Sequence, residues 1–174
     1  WTRMNNKISV IISTYNRPAL LDRALECFLN QSLDFNEYEI LVGDSFSTDK
    51  AEDIVRKLQQ KYPLANLKYF YVDVLGGLTI TRRFLVENSK YEIIVQGDDD
   101  AMPEWNYLKE AQKVFTNDSK KEISIVAGKL LPIFEAEPPS FVESLWNYNG
   151  YGRYLTDFTL LDFDTNVVDI PHQF

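Results

Sequence analysis

The chain is poor in the residues on which most small catalytic and metal sites are built. Its 174 residues hold one cysteine, Cys27, and one histidine, His172. A single cysteine excludes a disulfide framework and a cysteine-rich zinc site. A single histidine near the end excludes a histidine-rich metal cluster and a Ser-His-Asp triad built around a mid-chain His. Any metal is therefore held mainly by carboxylates. Basic residues are also in deficit, 18 Lys plus Arg against 26 Asp plus Glu for a net charge of −8. That excludes a general nucleic-acid binder, which needs a basic surface to neutralise phosphates. No run approaches the roughly 18 apolar residues of a membrane span, and no charged start followed by an apolar run reads as a signal peptide. The expected location is cytoplasmic, free or peripheral at the membrane. Trp1 stands where a Met is usual, and residues 1–6 are expected to be a tag remnant or a disordered start.

What is present, at 45% hydrophobic and 25% charged residues, suits a folded domain rather than a disordered one. Lys7 to Ser13 (KISVIIS) is an almost continuous β-branched run, the mark of a strand buried on both faces of a parallel sheet. Asn16, Arg17 and Pro18 suit a helix start, and Leu20, Leu21, Ala24, Leu25, Phe28 and Leu29 recur at helical spacing. Tyr38 to Val42 predicts a second strand. Ser47, Thr48 and Asp49 offer an N-cap to a helix with the stripe Ala51, Ile54, Val55, Leu58 and Tyr62, stopped by Pro63. A third strand is expected over Leu67 to Val72, a turn at Gly76-Gly77, a helix over Leu78 to Ser89 and a fourth strand over Tyr91 to Gln96. Pro103 is expected to open a fourth helix with Trp105, Leu108, Ala111 and Phe115 on one face, and Ile123 to Ala127 to form a fifth strand. Past Gly128 the period is lost. Pro138-Pro139 precedes a short amphipathic piece, and a Gly, Asn and Tyr loop and weak strand character follow.

Repeated strand and helix signals predict an α/β fold, a Rossmann-like layer with a mostly parallel central sheet and helices on both faces. Ligands bind such sheets outside the carboxyl ends of the strands. That rule gathers scattered polar residues onto one edge: Ser13, Thr14, Tyr15, Asn16 and Arg17 after strand 1, Asp44 and Ser45 after strand 2, and Asp98, Asp99 and Asp100 after strand 4. Three adjacent carboxylates repel one another and favour protonation of one of them unless a cation sits among them. Magnesium or manganese, which takes a few carboxylate oxygens together with water and phosphate oxygens, suits them and points to a metal-bridged diphosphate. The competing structural reading is that the aspartates only favour the following helix through its dipole. Tyr15 offers a ring to a nucleobase, Ser13 and Thr14 offer hydroxyls, and Asp44, across the switch point, offers an acceptor to a base or ribose. Structurally, Asn16 would simply cap the helix and Tyr15 cover the sheet edge. Gly76-Gly77 ahead of Arg82 and Arg83 brings backbone and guanidinium toward phosphate. No G-x-G-x-x-G follows strand 1 and no P-loop fingerprint is present. Cys27 is expected to be an inert buried thiol and His172 to be structural.

Four ordered blocks carry a resemblance: ISVIISTYNRP (8–18), ILVGDSFSTD (40–49), GGLTITR (76–82) and VQGDDDAMP (95–103). They resemble family 2 glycosyltransferases of the GT-A fold over about residues 7 to 130. The resemblance implies transfer of a sugar from a nucleotide diphosphate donor, usually a UDP-sugar, to a saccharide or other hydroxyl acceptor. Inversion at the anomeric carbon, a divalent metal (Mn or Mg) and a role in cell-surface polysaccharide biosynthesis come with it. It places Ser13, Thr14, Tyr15 and Asn16 on the first nucleotide-binding loop, Asp44 on the base-contacting acid and Arg82 on the arginine of the Gly-rich block. Asp98 to Asp100 resemble the D-x-D motif: Asp100 is the expected metal ligand, joined by Asp98, while Asp98 and Asp99 face ribose and donor sugar. Two departures stand out: Ser45 and Phe46 replace the family's frequent Asp and Gly, and Arg83 replaces a common Asn. Residues 7–130 are expected to form the nucleotide-sugar-binding domain, and 131–174 the start of a truncated acceptor-side region. The general base is expected there or beyond, with nothing selecting among Asp157, Asp162, Asp164 and Asp169. The alternative is a non-catalytic nucleotide-sugar-binding module that lacks the base; a metal-independent α/β binding module is a third reading.

Overall fold

In a computed structural model, which describes residues 6–48, 50–73, 77–128 and 137, the β-branched run becomes β1 (Ile8–Thr14), and every residue of it is buried. Pro18 then opens α1 (Pro18–Leu29), its fixed φ and missing N–H costing nothing at a first helical position. The order continues with β2 (Tyr38–Asp44), α2 (Ala51–Lys61), β3 (Leu67–Tyr71), α3 (Gly77–Glu87), β4 (Ile93–Asp98) and α4 (Tyr107–Asn117). All pairings are parallel, and the strands lie in the order β3-β2-β1-β4. The expected α/β sheet is therefore present.

Alternation along each strand sorts the side chains by face. Ile8, Val10 and Ile12 join Ile40, Val42 and Val95 beneath α1, α2 and α4, where Leu21, Leu25, Phe28, Val55, Leu58 and Leu108 close the main core. On the other face Ile11 and Leu41 pack under Leu85 of α3, with Phe70, Phe84 and Ile94 around them. Each fully buried Leu, Ile or Phe contributes about 1.5–3 kcal/mol of burial free energy. Two glycines admit close approach. A Cβ on Gly43 would stand 2.6 Å from Thr81 Cγ2, and one on Gly97 2.9 Å from the Phe28 ring.

The chain moves outward from β1 to β2 and β3, then crosses back to β4 on the far side of β1, so the switch point lies between β1 and β4. Thr14 and the aspartate run flank it. Asp44, expected across it, instead sits on β2, in register with Thr14.

Other expectations need correction. Ser47 and Thr48 do not cap α2, whose N-cap position is Lys50 without a side-chain cap; both are taken by Asn16. Asp49 lies outside the described residues. Asn16 does not cap α1 either, that position being Arg17. Pro103 does not open α4, which begins at Tyr107. The intervening backbone is committed elsewhere: Gln31 Nε2 donates to the Glu104 carbonyl, Ser32 N–H to the Trp105 carbonyl, and Leu108 N–H donates to Gln31 Oε1. Trp105 thus stays outside the helix, 67% exposed. Ile123–Ala127 joins no sheet among the described residues; Ile125 and Val126 are exposed. β-branched propensity makes a strand only where a neighbouring strand completes the ladder. The chain divides into two units, Trp1–Lys121, which holds every element named, and Glu122–Phe174. Gly76, the piece after Pro138-Pro139, the loop and tail beyond, and His172 lie outside the described residues.

At the amino ends of the strands sits a buried charge that sequence reading overlooked. Glu39 is fully buried. Its Oε1 accepts from Ser9 Oγ at 2.8 Å and Lys90 N–H at 2.7 Å, and its Oε2 from Lys68 Nζ at 2.7 Å. Burial pushes the carboxyl up, but the bonds from Lys68, Lys90 and Ser9 together with the Lys68 charge outweigh it and hold the group below its ordinary range.

Candidate functional site

The three groups of polar residues predicted to share one edge are brought into direct contact there. Thr14, the last residue of β1, donates from Oγ1 to Asp99 Oδ2 at 2.8 Å across the switch point. Arg17, just before α1, reaches the same run: its Nη1 lies 3.4 Å from Asp99 Oδ1 and 3.3 Å from Asp100 Oδ2. Arg82 of α3 donates through Nη2 to Asp98 Oδ1. All three aspartates are thus countered by two guanidinium groups. Asp99 is buried, while Asp98 and Asp100 each keep half their side chain in solvent. Arg83, the other candidate for phosphate, is turned outward and pairs with Glu87 along the helix.

The loops after β1 and β2 are laced together by Asn16. Its N–H donates to Ser47 Oγ at 2.9 Å, and its Oδ1 accepts from Thr48 N–H at 2.9 Å and from the Thr48 hydroxyl at 3.3 Å. This bracket puts Asn16 at φ 52°, a left-handed conformation that asparagine tolerates better than most residues. Ser45 ties the second loop to two neighbours, its N–H donating to the Thr14 carbonyl and its Oγ sharing a 2.7 Å hydrogen bond with Thr81 Oγ1.

Asp44 is almost wholly buried. Its Oδ1 accepts from Ser47 N–H at 2.8 Å and its Oδ2 from the Tyr69 hydroxyl at 2.7 Å. Burial, then the bond to Asp44 and its negative charge, push the Tyr69 hydroxyl well above its ordinary range and keep it a donor. Asp44 thus ties the loop after β2 to β3. Tyr15 is 57% exposed at the same edge. Among the described residues three buried side-chain atoms have no hydrogen-bond partner, Ser13 Oγ and Arg82 Nε at this edge and Ser32 Oγ after α1, although native folds seldom leave such groups unpaired. Ser13 is in register with Asp98.

Phe46 is the least comfortable residue of the edge. It has φ 67°, where the Cβ of a bulky residue crowds the backbone at a cost of about 1–2 kcal/mol. Its ring is half exposed and meets that of Tyr71, the last residue of β3, at 5.9 Å between centroids and 33° between planes.

No three His, Cys, Asp or Glu side chains among the described residues converge as a closed metal cage. The chemistry of Asp98 and Asp100 nevertheless fits a magnesium or manganese ion, which takes one or two carboxylates and completes its shell with water and phosphate. Cys27 is half-buried on α1 rather than fully buried; burial pushes its thiol up, as expected of an unreactive one. Sequence reading missed Tyr69, Thr81 and the part played by Arg17. Tyr69 meets Asp44 only through strand register, and Thr81 meets Ser45 only where Gly43 lets α3 close in; neither leaves a mark in the local sequence.

Comparisons with known proteins bear on the family and the fold. A model described as "Glycosyl transferase family 2" matches residues 9–164, past the residue 130 at which the resemblance was expected to end. A dolichyl N-acetyl-α-D-glucosaminyl phosphate 3-β-D-2,3-diacetamido-2,3-dideoxy-β-D-glucuronosyltransferase of Methanococcus voltae is 30% identical over 117 residues, 67% of this chain and 36% of that protein. The structure of S. aureus TarS 1–349 in complex with UDP-GlcNAc superposes with TM-score 0.58 at 28% identity, covering 63% of this chain and 31% of that one. The mannosyltransferase PcManGT of Pyrobaculum calidifontis, in complex with GDP-Man and Mn²⁺, superposes with TM-score 0.56 at 25% identity, covering 63% of this chain and 31% of that one. The chain thus spans about a third of the length of these proteins. No described helix is long and apolar enough to cross a membrane. With the sheet order, the laced loops and the aspartate run in the order of the resembling blocks, and a family model over most of its length, the chain belongs to glycosyltransferase family 2.

Proposed function

We propose that this chain is the donor-binding part of a metal-dependent, inverting glycosyltransferase that takes a sugar from a nucleoside diphosphate, UDP being the favoured carrier, and passes it to an acceptor hydroxyl. One observation carries the reading: two guanidinium groups and three carboxylates meet at the switch point of a parallel sheet. A diphosphate with a hard cation answers that mixture, because the phosphates need positive charge and the carboxylates need a cation. UDP-GlcNAc in TarS, and GDP-Man with Mn²⁺ in the mannosyltransferase, support it.

Each residue has a task in this reading. Thr14 holds Asp99 in place from across the switch point. Asp98 and Asp99 face ribose and donor sugar, and Asp100, with Asp98, would hold the metal. Arg82, whose Nε has no partner, turns from Asp98 toward the diphosphate and meets its developing charge. Ser13 gives its free hydroxyl to the donor, Tyr15 and Asn16 border it, and Asp44 fixes the loop beneath the base. When bound, the metal offsets negative charge on the leaving diphosphate.

Calorimetric titration with UDP, with and without Mn²⁺, tests the assignment on this chain and on Asp100→Asn. Mn²⁺ should tighten UDP binding, and the substitution should remove about 10- to 100-fold of that gain, the worth of one charged contact. Binding that ignores both metal and substitution refutes the metal role.

A further inference from the structure

We infer that Phe46 and Tyr71 form a stacking shelf for the nucleobase of the donor, at the outer rim of the edge and separate from the contacts to phosphate. The inference rests on the donor reading above and adds two residues to it.

Strain is the first sign. Phe46 keeps a bulky side chain at φ 67°, where a glycine would lie without strain. Nothing in the core repays it, since the ring is 46% exposed and belongs to neither buried cluster. A backbone outlier held by its neighbours and unused by the core is the kind found at ligand sites. Its neighbours do hold it: Ser45 is tied to Thr14 and Thr81, and Ser47 to Asp44 and Asn16, so the loop presents residue 46 at its crest in a fixed place.

The second sign is the partner ring. Tyr71 is in register with Asp44 and is itself 50% exposed. Two half-exposed rings in tilted contact, 33° between planes, form an apolar aromatic patch beside a loop anchored on Asp44 and Tyr69. An exposed aromatic face of this kind suits a planar heterocycle. A phosphate would gain nothing from it. Stacking accepts any base because every base has a π-face, so the shelf sets affinity for a base and leaves the choice of base to polar groups around it.

The test uses the full chain, Mn²⁺ and two probes, UDP and ribose 5-diphosphate, a diphosphate that keeps the ribose and lacks only the base. Phe46→Gly should bind UDP about tenfold more weakly, in the range of lost base stacking, and bind ribose 5-diphosphate as the parent does. Its melting temperature should equal or exceed the parent's because the strain is gone. Tyr71→Ala should lose UDP affinity in the same way, and Phe46→Tyr should retain it. UDP affinities of Phe46→Gly and Tyr71→Ala within twofold of the parent overturn the shelf. Equal loss for UDP and ribose 5-diphosphate also overturns it, showing a general loop effect. If the parent chain binds neither probe, the donor reading fails and the shelf fails with it.

Discussion

Gly43 links packing to the site, and adding one methyl group there should disturb both. In Gly43→Ala the new Cβ would lie 2.6 Å from Thr81 Cγ2 and 3.0 Å from Leu85 Cδ1. Carbon atoms rest at about 3.5–4.0 Å, so α3 has to retreat by roughly 1 Å at its end nearest the site. Overpacking of this size costs about 1–3 kcal/mol. The smaller entropy of the unfolded alanine chain returns about 0.4–1 kcal/mol, and the net loss should be about 0.5–2 kcal/mol in urea denaturation. The same retreat stretches the Ser45–Thr81 bond and draws Arg82 back from the edge where the proposed diphosphate would sit, so UDP should bind more weakly in calorimetry. Thr81→Ser supplies the control. It deletes Cγ2, which makes the closest contact, and keeps the hydroxyl that Ser45 uses. Added to Gly43→Ala, it should restore about 1 kcal/mol of coupling along with part of the UDP affinity. If Gly43→Ala is as stable as the parent, or the second substitution restores nothing, the packing argument is wrong.

Two further substitutions probe the ends of the strands. Glu39→Gln keeps the shape but sets an amide N–H against the donors around it, and should cost about 2–3 kcal/mol at pH 7. The parent carboxyl lies below its ordinary 4.5, so its contribution is complete above about that pH and fades as pH falls through the lowered folded value. The stability gap between the two chains in urea titrations should therefore narrow only in acid; equal stability at pH 7 would show that the network is idle. Arg17→Ala frees Asp99 and Asp100 from a competing cation. Because the Arg17–Asp100 pair is exposed and weak, Mn²⁺ should bind the donor-free chain about two- to fivefold more tightly by calorimetry. Unchanged or weaker Mn²⁺ binding would show that Arg17 does not compete.

The sheet could be read from the chain because it obeys one-dimensional rules. Seven consecutive buried residues in β1 and a helical stripe begun by Pro18 declare themselves through spacing alone. The edge could be read for the same reason, since parallel strands all end on one side. Helix starts could not. Ser47 and Thr48 have the right chemistry to cap α2, but Asn16, 31 residues away in the case of Ser47, takes them first. Gln31 likewise holds back the start of α4 from 77 residues away. Glu39 looked like one polar residue in an apolar strand, because its partners Ser9, Lys68 and Lys90 come from three other segments. Ile123–Ala127 shows the converse, strong local propensity without a ladder among the described residues.

The Asn16 bracket also bears on how such proteins diverge. With its backbone N–H on Ser47 and its side-chain oxygen on Thr48, one residue joins two loops that the sequence separates by a whole helix and strand. A new shape in one loop has to break these bonds or carry the other loop with it. Grafting only the segment around Tyr15 or only that around Phe46 from a relative with another donor should misalign both, whereas exchanging the pair, Asn16 included, moves a complete part. Donor preference would then be inherited as a two-segment cassette, and chimeras cut between those segments should fail even when each half comes from an active parent.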